Sequence, residues 1–268
     1  RFVHHRNNLN IPPEHILANA RYPLLFAHRG LTASAPENTI AAFRLVLEEK
    51  IPGVEFDVRF TKDREPVVVH DPTLRRTAGT RSTIAELTLK ELRETDVGSW
   101  FSPAYATERI PHLEDVLEIL GTAVYYDIEL KVINADLVTK VAALLEQGGL
   151  TKRVIVSSFS PRVSAGRRAF VSMAPILTPS YPLRYLSWRT IHRRSIFPAY
   201  IKPDVAFFRR RRVFLRLAEE LKRQDTPWIP WTINDSELGR FCLDNGAAGL
   251  ISDDPGRLAR ELSLPLND

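Results

Sequence analysis

Short, nearly continuous apolar runs alternate along the chain with longer segments whose apolar positions recur every three to four residues. The short runs are Leu24–His28, Val54–Val58, Ala123–Leu130, Val154–Ser158, Ile176–Thr178, Val205–Phe208, Trp228–Thr232 and Gly249–Ser252, and they predict strands. The helical patterns are Asn38–Glu49, Leu113–Leu120, Ala135–Leu145, Arg162–Phe170, Arg209–Lys222, Glu237–Asn245 and Gly256–Leu262. Alternation of this kind implies parallel strands joined by crossover helices. Eight strands predict a closed α/β barrel, with an open doubly wound sheet as the rival.

Two segments break the rhythm. Asp71–Pro111 falls between the second and third barrel strands, and its Trp100, Phe101 and Tyr105 read as the core of an insertion. Pro179–Pro203 is rich in Pro, Arg and aromatics. Both follow a strand's carboxyl end, where barrel enzymes build their sites. In the helix that begins at Arg209, the Arg209–Arg212 run reads as a solvated face, leaving Val213, Leu215, Leu217 and Leu221 for the core.

Polar residues interrupt the apolar runs at their ends. The first strand closes on His28-Arg29-Gly30, the second carries Glu55 and Asp57, and the third carries Asp127 and Glu129 and ends on Lys131. Side chains alternate along a strand, so Glu55 and Asp57 share one face, as do Asp127, Glu129 and Lys131. Phe56 and Val58 then face covering helices. Carboxylates aimed into a barrel are costly without compensation, which a divalent cation would supply. The oxygen donors Glu55, Asp57 and Glu129 favour Mg²⁺, Ca²⁺ or Mn²⁺ over zinc. Thr61–His70 reads as a hairpin with its turn at Lys62–Glu65. Pairing Thr61 with Pro66 would set Arg59 opposite Val68 and Asp57 opposite His70, with Cβ atoms about 5 Å apart. Such a pocket balances charge: three carboxylates and a phosphodiester against a divalent ion, Arg29 and Lys131. His28 and His70 would serve as general acid and base. The remaining histidines, His4, His5, His15, His112 and His192, have no such context. Asp71 reads as a partner for His70 or as the start of a turn. Asp127 reads as a group behind the ligands or as a solvent-facing group at the start of its strand, and Cys242 as packing.

With 268 residues, 44 % apolar and 26 % charged, the chain suits one soluble globular barrel. Its single cysteine excludes a disulfide framework and any multi-cysteine metal site. A net charge of +5 favours anionic partners: phosphate esters, membrane headgroups or nucleic acid. No basic motif with interleaved aromatics supports a nucleic-acid module. The cluster Arg184, Arg189, Arg193 and Arg194 beside Tyr181, Tyr185 and Trp188 suits contact with an anionic membrane surface. No membrane-spanning run and no secretory pattern is visible, which favours the cytoplasm. Residue 1 is Arg rather than Met, so membrane association or export through an upstream segment stays open. The oligomeric state is not readable.

The order of these pieces resembles the glycerophosphodiester phosphodiesterase family. His28-Arg29-Gly30 followed by Pro36-Glu37-Asn38-Thr39 is similar to its HRG…PENT signature. Glu55-x-Asp57, Thr61-Lys62-Asp63, His70-Asp71, Glu129-Leu130-Lys131, Ser158-Phe159, Trp231-Thr232-Ile233-Asn234 and Ser252-Asp253-x-Pro255 follow in the family's order. The resemblance implies a single catalytic domain over residues 1–268. It would be a (β/α)8 TIM barrel over about 22–263, with a family-type insertion over about 71–111. It implies His28 and His70 as the acid–base pair, Glu55, Asp57 and Glu129 on Mg²⁺ or Ca²⁺, and Arg29 and Lys131 on phosphate, with Trp231 lining the pocket. The implied reaction cleaves a glycerophosphodiester to glycerol 3-phosphate and an alcohol. A lysophospholipid or sphingolipid phosphodiesterase on the same fold is the alternative. Two positions depart from the family's pattern: Arg64 where Gly is frequent in the hairpin loop, and Ala248 where Asp is common.

Overall fold

The computed structural model describes residues 23–132, 134–159, 173–177, 202–206, 211–223 and 227–267. The expected helix Arg162–Phe170, nearly all of Pro179–Pro203 and the end of the expected strand Val205–Phe208 lie outside the described residues.

The strands are β1 (Leu24–His28), β2 (Gly53–Phe60), β3 (Pro66–Val68), β4 (Tyr125–Leu130), β5 (Val154–Ser158), β6 (Met173–Leu177), β7 (Lys202–Pro203) and β8 (Gly249–Ser252). The order across the sheet is β7-β6-β5-β4-β2-β1-β8, all parallel, with β3 an antiparallel side strand on β2. The expected strand Trp228–Thr232 is irregular, because Pro230 has no N–H to offer a ladder. It closes the ring all the same. On one side Ala248 N–H donates to Trp228 O, Ile251 N–H to Pro230 O and Ile233 N–H to Ile251 O. On the other, Val205 N–H donates to Trp231 O and Trp231 N–H to Pro203 O. Barrel closure decides against the open doubly wound sheet.

Parallel strands covered on both faces are apolar throughout. Outward-facing Val54, Phe56, Val58, Tyr126, Ile128 and Leu130 pack on Phe43, Val46, Leu137 and Val141 of the covering helices. Inward-facing Leu24, Phe26, Ile155, Ile229 and Ile251 plug the barrel's lower interior. Gly53 makes room for that plug, since a Cβ there would sit 2.6 Å from the Phe26 ring. Side-chain caps start the helices that follow the site loops. Thr39 caps Ile40–Glu48, Asn134 caps Ala135–Gln147 and Asp254 caps Pro255–Leu262, each worth about 1 kcal/mol. His112 caps Leu113–Leu120, which gives that histidine a structural role.

Three expectations are corrected. The hairpin pairs Val58 with Val68, Arg59 with Val67 and Phe60 with Pro66, one residue out of the expected register. Its turn places Arg64 in the left-handed region at φ 61°, where glycine is the easy choice. The insertion's core is Val67, Val69, Leu74, Ile84, Leu92, Val97 and Ile110. Trp100 and Phe101 are exposed instead, with Trp100 edge to face on Phe101 and Phe101 edge to face on Tyr105. In the helix Arg211–Arg223 the fully buried stripe is Phe214, Ala218 and Leu221, which keeps Leu221 of the expected set and leaves Leu215 and Leu217 partly buried against the same cluster. Its spacing of four and three residues fits a helix, whereas Leu215 and Leu217 step by two.

Candidate active site

Register across the barrel stacks the acidic residues in rows. His28 lies beside Glu55 and Glu55 beside Asp127; one step higher, Asp57 lies beside Glu129 and Glu129 beside Ser157. Oxygens of Glu55, Asp57 and Glu129 all lie within 4.8 Å of one another, and all three side chains are buried.

Two lysines are threaded between these carboxylates. Lys131 Nζ lies 2.8 Å from Asp57 Oδ1 and 2.6 Å from Glu129 Oε1. Lys202 Nζ lies 2.8 Å from Asp127 Oδ2, 3.2 Å from Ser157 Oγ and 3.4 Å from Glu55 Oε1. Asp57 also accepts from Asn38 Nδ2 at 3.0 Å. Burial alone would raise its carboxyl, but Lys131, Arg29 and His70 outweigh burial and hold it well below the usual range. For Glu129, burial and the charge of Asp57 win, pushing its carboxyl up to about 7. Neighbouring carboxylates with opposite shifts mark a site short of positive charge. Three buried polar atoms there make no hydrogen bond: Asn38 Oδ1, and Glu129 Oε1 and Arg29 Nε, which lie in ion pairs with Lys131 and Asp57. The donor set and its crowding fit a hard divalent cation on the carboxylates and an anion at Arg29.

Each histidine is backed by a carboxylate. His28 Nδ1 lies 2.7 Å from Asp253 Oδ1, while its Nε2 is 4.0 Å from Glu55 Oε2. Asp253 is steadied by Thr32 Oγ1 and by Asn234 Nδ2 at 2.6 Å. His70 Nδ1 lies 2.6 Å from Asp71 Oδ1. In both rings this bond assigns the proton to Nδ1 and leaves Nε2 for chemistry. Although the hairpin register is displaced, β3 ends at Val68, so the ladder does not dictate which way His70 turns. Burial lowers the His70 pKa, with Asp57 opposing and the Lys131 and Arg29 charges adding.

Arg29 holds φ 58°, and its guanidinium reaches Glu37 Oε1 at 3.0 Å and Asp57 Oδ2 at 3.4 Å. Trp231 packs edge to face on the exposed Phe159, 5.9 Å between centroids, and donates from Nε1 to Lys202 O at 3.3 Å; Phe159 in turn lies 6.0 Å from Lys131 Nζ. His28, Arg29, Glu55, Asp57, Glu129 and Lys131 are thus gathered in one place, His70 stands within their field, and Trp231 sits at the rim. Lys202, Asp253 and Arg76 were not assigned a role from sequence. Asp253 had a signal in Ser252-Asp253-x-Pro255; Lys202 had none beyond a charge beside a short apolar run.

With its polar groups collected at the carboxyl ends of the strands, the chain is a TIM-barrel enzyme. The model of the glycerophosphoryl diester phosphodiesterase family matches residues 28–257, and the chain belongs to that family. A glycerophosphodiester phosphodiesterase of Caldanaerobacter subterraneus subsp. tengcongensis is 32 % identical over 239 residues, covering 88 % of this chain and 96 % of the relative. A Mycobacterium tuberculosis protein named probable glycerophosphodiester phosphodiesterase 1 is 28 % identical, covering 89 % and 92 %. Among solved structures, an Oleispira antarctica phosphodiesterase in complex with the product sn-glycerol-3-phosphate is similar at TM-score 0.78 and 25 % identity, covering 90 % of this chain and 97 % of that one.

Proposed function

We propose that the protein hydrolyses glycerophosphodiesters to sn-glycerol 3-phosphate and an alcohol, with His28 and His70 as the acid–base pair. The observation that carries this reading is the pair of imidazoles, each tied through Nδ1 to a carboxylate, beside three crowded carboxylates. The product named in the Oleispira complex and the names of the relatives support the substrate class. The basic, aromatic segment that lent weight to a lysophospholipid or sphingolipid lies outside the described residues.

Glu55, Asp57 and Glu129 would hold the divalent cation, Mg²⁺, Ca²⁺ or Mn²⁺, which supplies Lewis-acid stabilisation of phosphoryl charge when bound. Arg29, whose Nε makes no hydrogen bond, binds a phosphate oxygen. Lys131 offsets the charge of the ligands and faces the same anion. One neutral imidazole takes the proton of the attacking oxygen, from water or from the glycerol 2-hydroxyl, through Nε2. As that oxygen bonds to phosphorus, the bond from phosphorus to the alcohol oxygen breaks, and the other imidazole, protonated, gives a proton to the leaving oxygen; where the 2-hydroxyl attacks, water then opens the cyclic phosphate by the same proton transfers in reverse. Asp253 and Asp71 stabilise whichever ring is charged. The Asp127–Lys202 pair adds no net charge, so the balance between the carboxylates, the ion, Arg29, Lys131 and a phosphodiester monoanion is unchanged.

The test is release of glycerol 3-phosphate from glycerophosphocholine, -ethanolamine and -glycerol and from lysophosphatidylcholine, with and without chelator. Chelation should abolish turnover, and His28→Ala and His70→Ala should each cost about 10²–10⁴ in kcat. A p-nitrophenyl phosphodiester should rescue only the variant lacking the general acid, and so assign the roles. Full turnover in EDTA, or near-full rate in either alanine variant, defeats this mechanism.

A further inference from the structure

We propose that Arg76, a residue of the insertion, is a positioning residue that sets both His70 and Arg29, so that the insertion completes the site. The inference rests on the reading of His70 as an acid–base group. Arg76 lies in the short helix Arg75–Ala78. Its Nη1 and Nη2 donate to the two oxygens of Glu37, both at 2.7 Å, and its Nε donates to Asp71 Oδ2 at 2.8 Å. Glu37 also takes Arg29 Nη1 at 3.0 Å, and the other oxygen of Asp71 takes His70 Nδ1 at 2.6 Å. Arg29, Glu37, Arg76, Asp71 and His70 thus form one unbroken chain from the phosphate side of the site to the second imidazole.

Geometry explains why this position uses an arginine. The guanidinium is a rigid planar fork, so fixing it on Glu37 along one edge also fixes the direction of Nε toward Asp71. The ring of Trp100, 5.8 Å from Arg76 Cζ, supports its face. A lysine carries the charge but cannot hold a bidentate and a third bond in fixed relation. Arg76 is 42 % exposed on its side chain. Ion pairs that open to solvent contribute little to stability. Orientation of two site residues is therefore what this network supplies, and the effects on folding and on turnover should separate.

The experiment compares wild type, Arg76→Gln, Arg76→Lys, His70→Ala and Arg76→Gln/His70→Ala by melting temperature and by steady-state kinetics on glycerophosphocholine with saturating divalent ion. Arg76→Gln should melt within about 2 °C of wild type. Its kcat should fall about 10- to 100-fold, the usual scale for groups that orient a site's own residues. Arg76→Lys should fall nearly as far, and KM should rise in both as Arg29 loses its brace. In the His70→Ala background the same Gln substitution should cost kcat no more than about threefold, because the ring it orients is gone. An unchanged kcat in Arg76→Gln overturns the proposal, as does an equal loss in both backgrounds. A near-full rate in His70→Ala alone overturns the underlying reading of His70 instead.

Discussion

Replacing Lys202 by Met deletes one buried positive charge and leaves the volume nearly filled. The side chain is 2 % exposed. Burial would lower the pKa of its ammonium, but Asp127, Glu55 and Glu129 more than reverse this and hold it well above the usual range. Methionine would leave Asp127 and Glu55 facing each other, with Ser157 Oγ still donating to Asp127. Removing one member of a buried ion pair costs about 3–5 kcal/mol, because the other charge stays behind. In a chain of this size each kcal/mol moves the midpoint by roughly 2 °C, so the variant should melt roughly 6–10 °C lower. The deficit should also depend on pH. The Asp127 carboxyl is raised by burial, with Lys202 pulling it down and Glu55 pushing it up. Losing Lys202 raises it further. A carboxyl raised on folding contributes stability below its unfolded pKa and loses it as pH rises through the folded one. The gap to wild type should therefore be smallest near about pH 5 and widen toward about pH 8. Melting curves in EDTA across that range are the assay. A midpoint within about 2 °C of wild type at the alkaline end, or a gap that ignores pH, would refute the reasoning.

Glu129, at about 7, must lose its proton when a cation binds, so ion affinity should fall about tenfold per unit below that pH and flatten above it. By the same sign, the ion-free protein loses the Glu129 contribution as pH rises through 7, and added ion should stabilise it most above that point. Titration calorimetry in buffers of different ionisation heat reads the released proton; an affinity flat from about pH 5.5 to 8 counts against this. Asp253→Asn should keep the fold but favour the wrong His28 tautomer, lowering kcat by about 10²–10⁴ with little change in melting; a near-full rate would reduce Asp253 to a fastener between strands.

What the chain discloses without coordinates follows from how many constraints bear on each residue. Glu55, Asp57 and Glu129 sit on multi-residue strands, where alternation alone assigns their face, and Lys131 directly follows one. His28 closes an apolar run, so its place at the mouth is equally legible. Lys202 belongs to a strand of two residues, too short to carry a period. Arg76 follows Arg75 in a helix of four residues, and nothing in that sequence says which arginine turns inward. A register counted from the turn rather than from a buried face falls one residue out of the observed pairing. The exposed Trp100 and Phe101 mislead in the opposite direction, since large aromatics are read as core by default.

His28 and Asp253 are 225 positions apart, and their bond crosses the seam between β1 and β8. The ring of His28 is therefore held only once β8 has docked on β1. A chain folded from β1 through β5 already carries both site imidazoles and the three crowded carboxylates, yet leaves His28 Nδ1 without its partner. Fixing that ring waits on closure of the barrel.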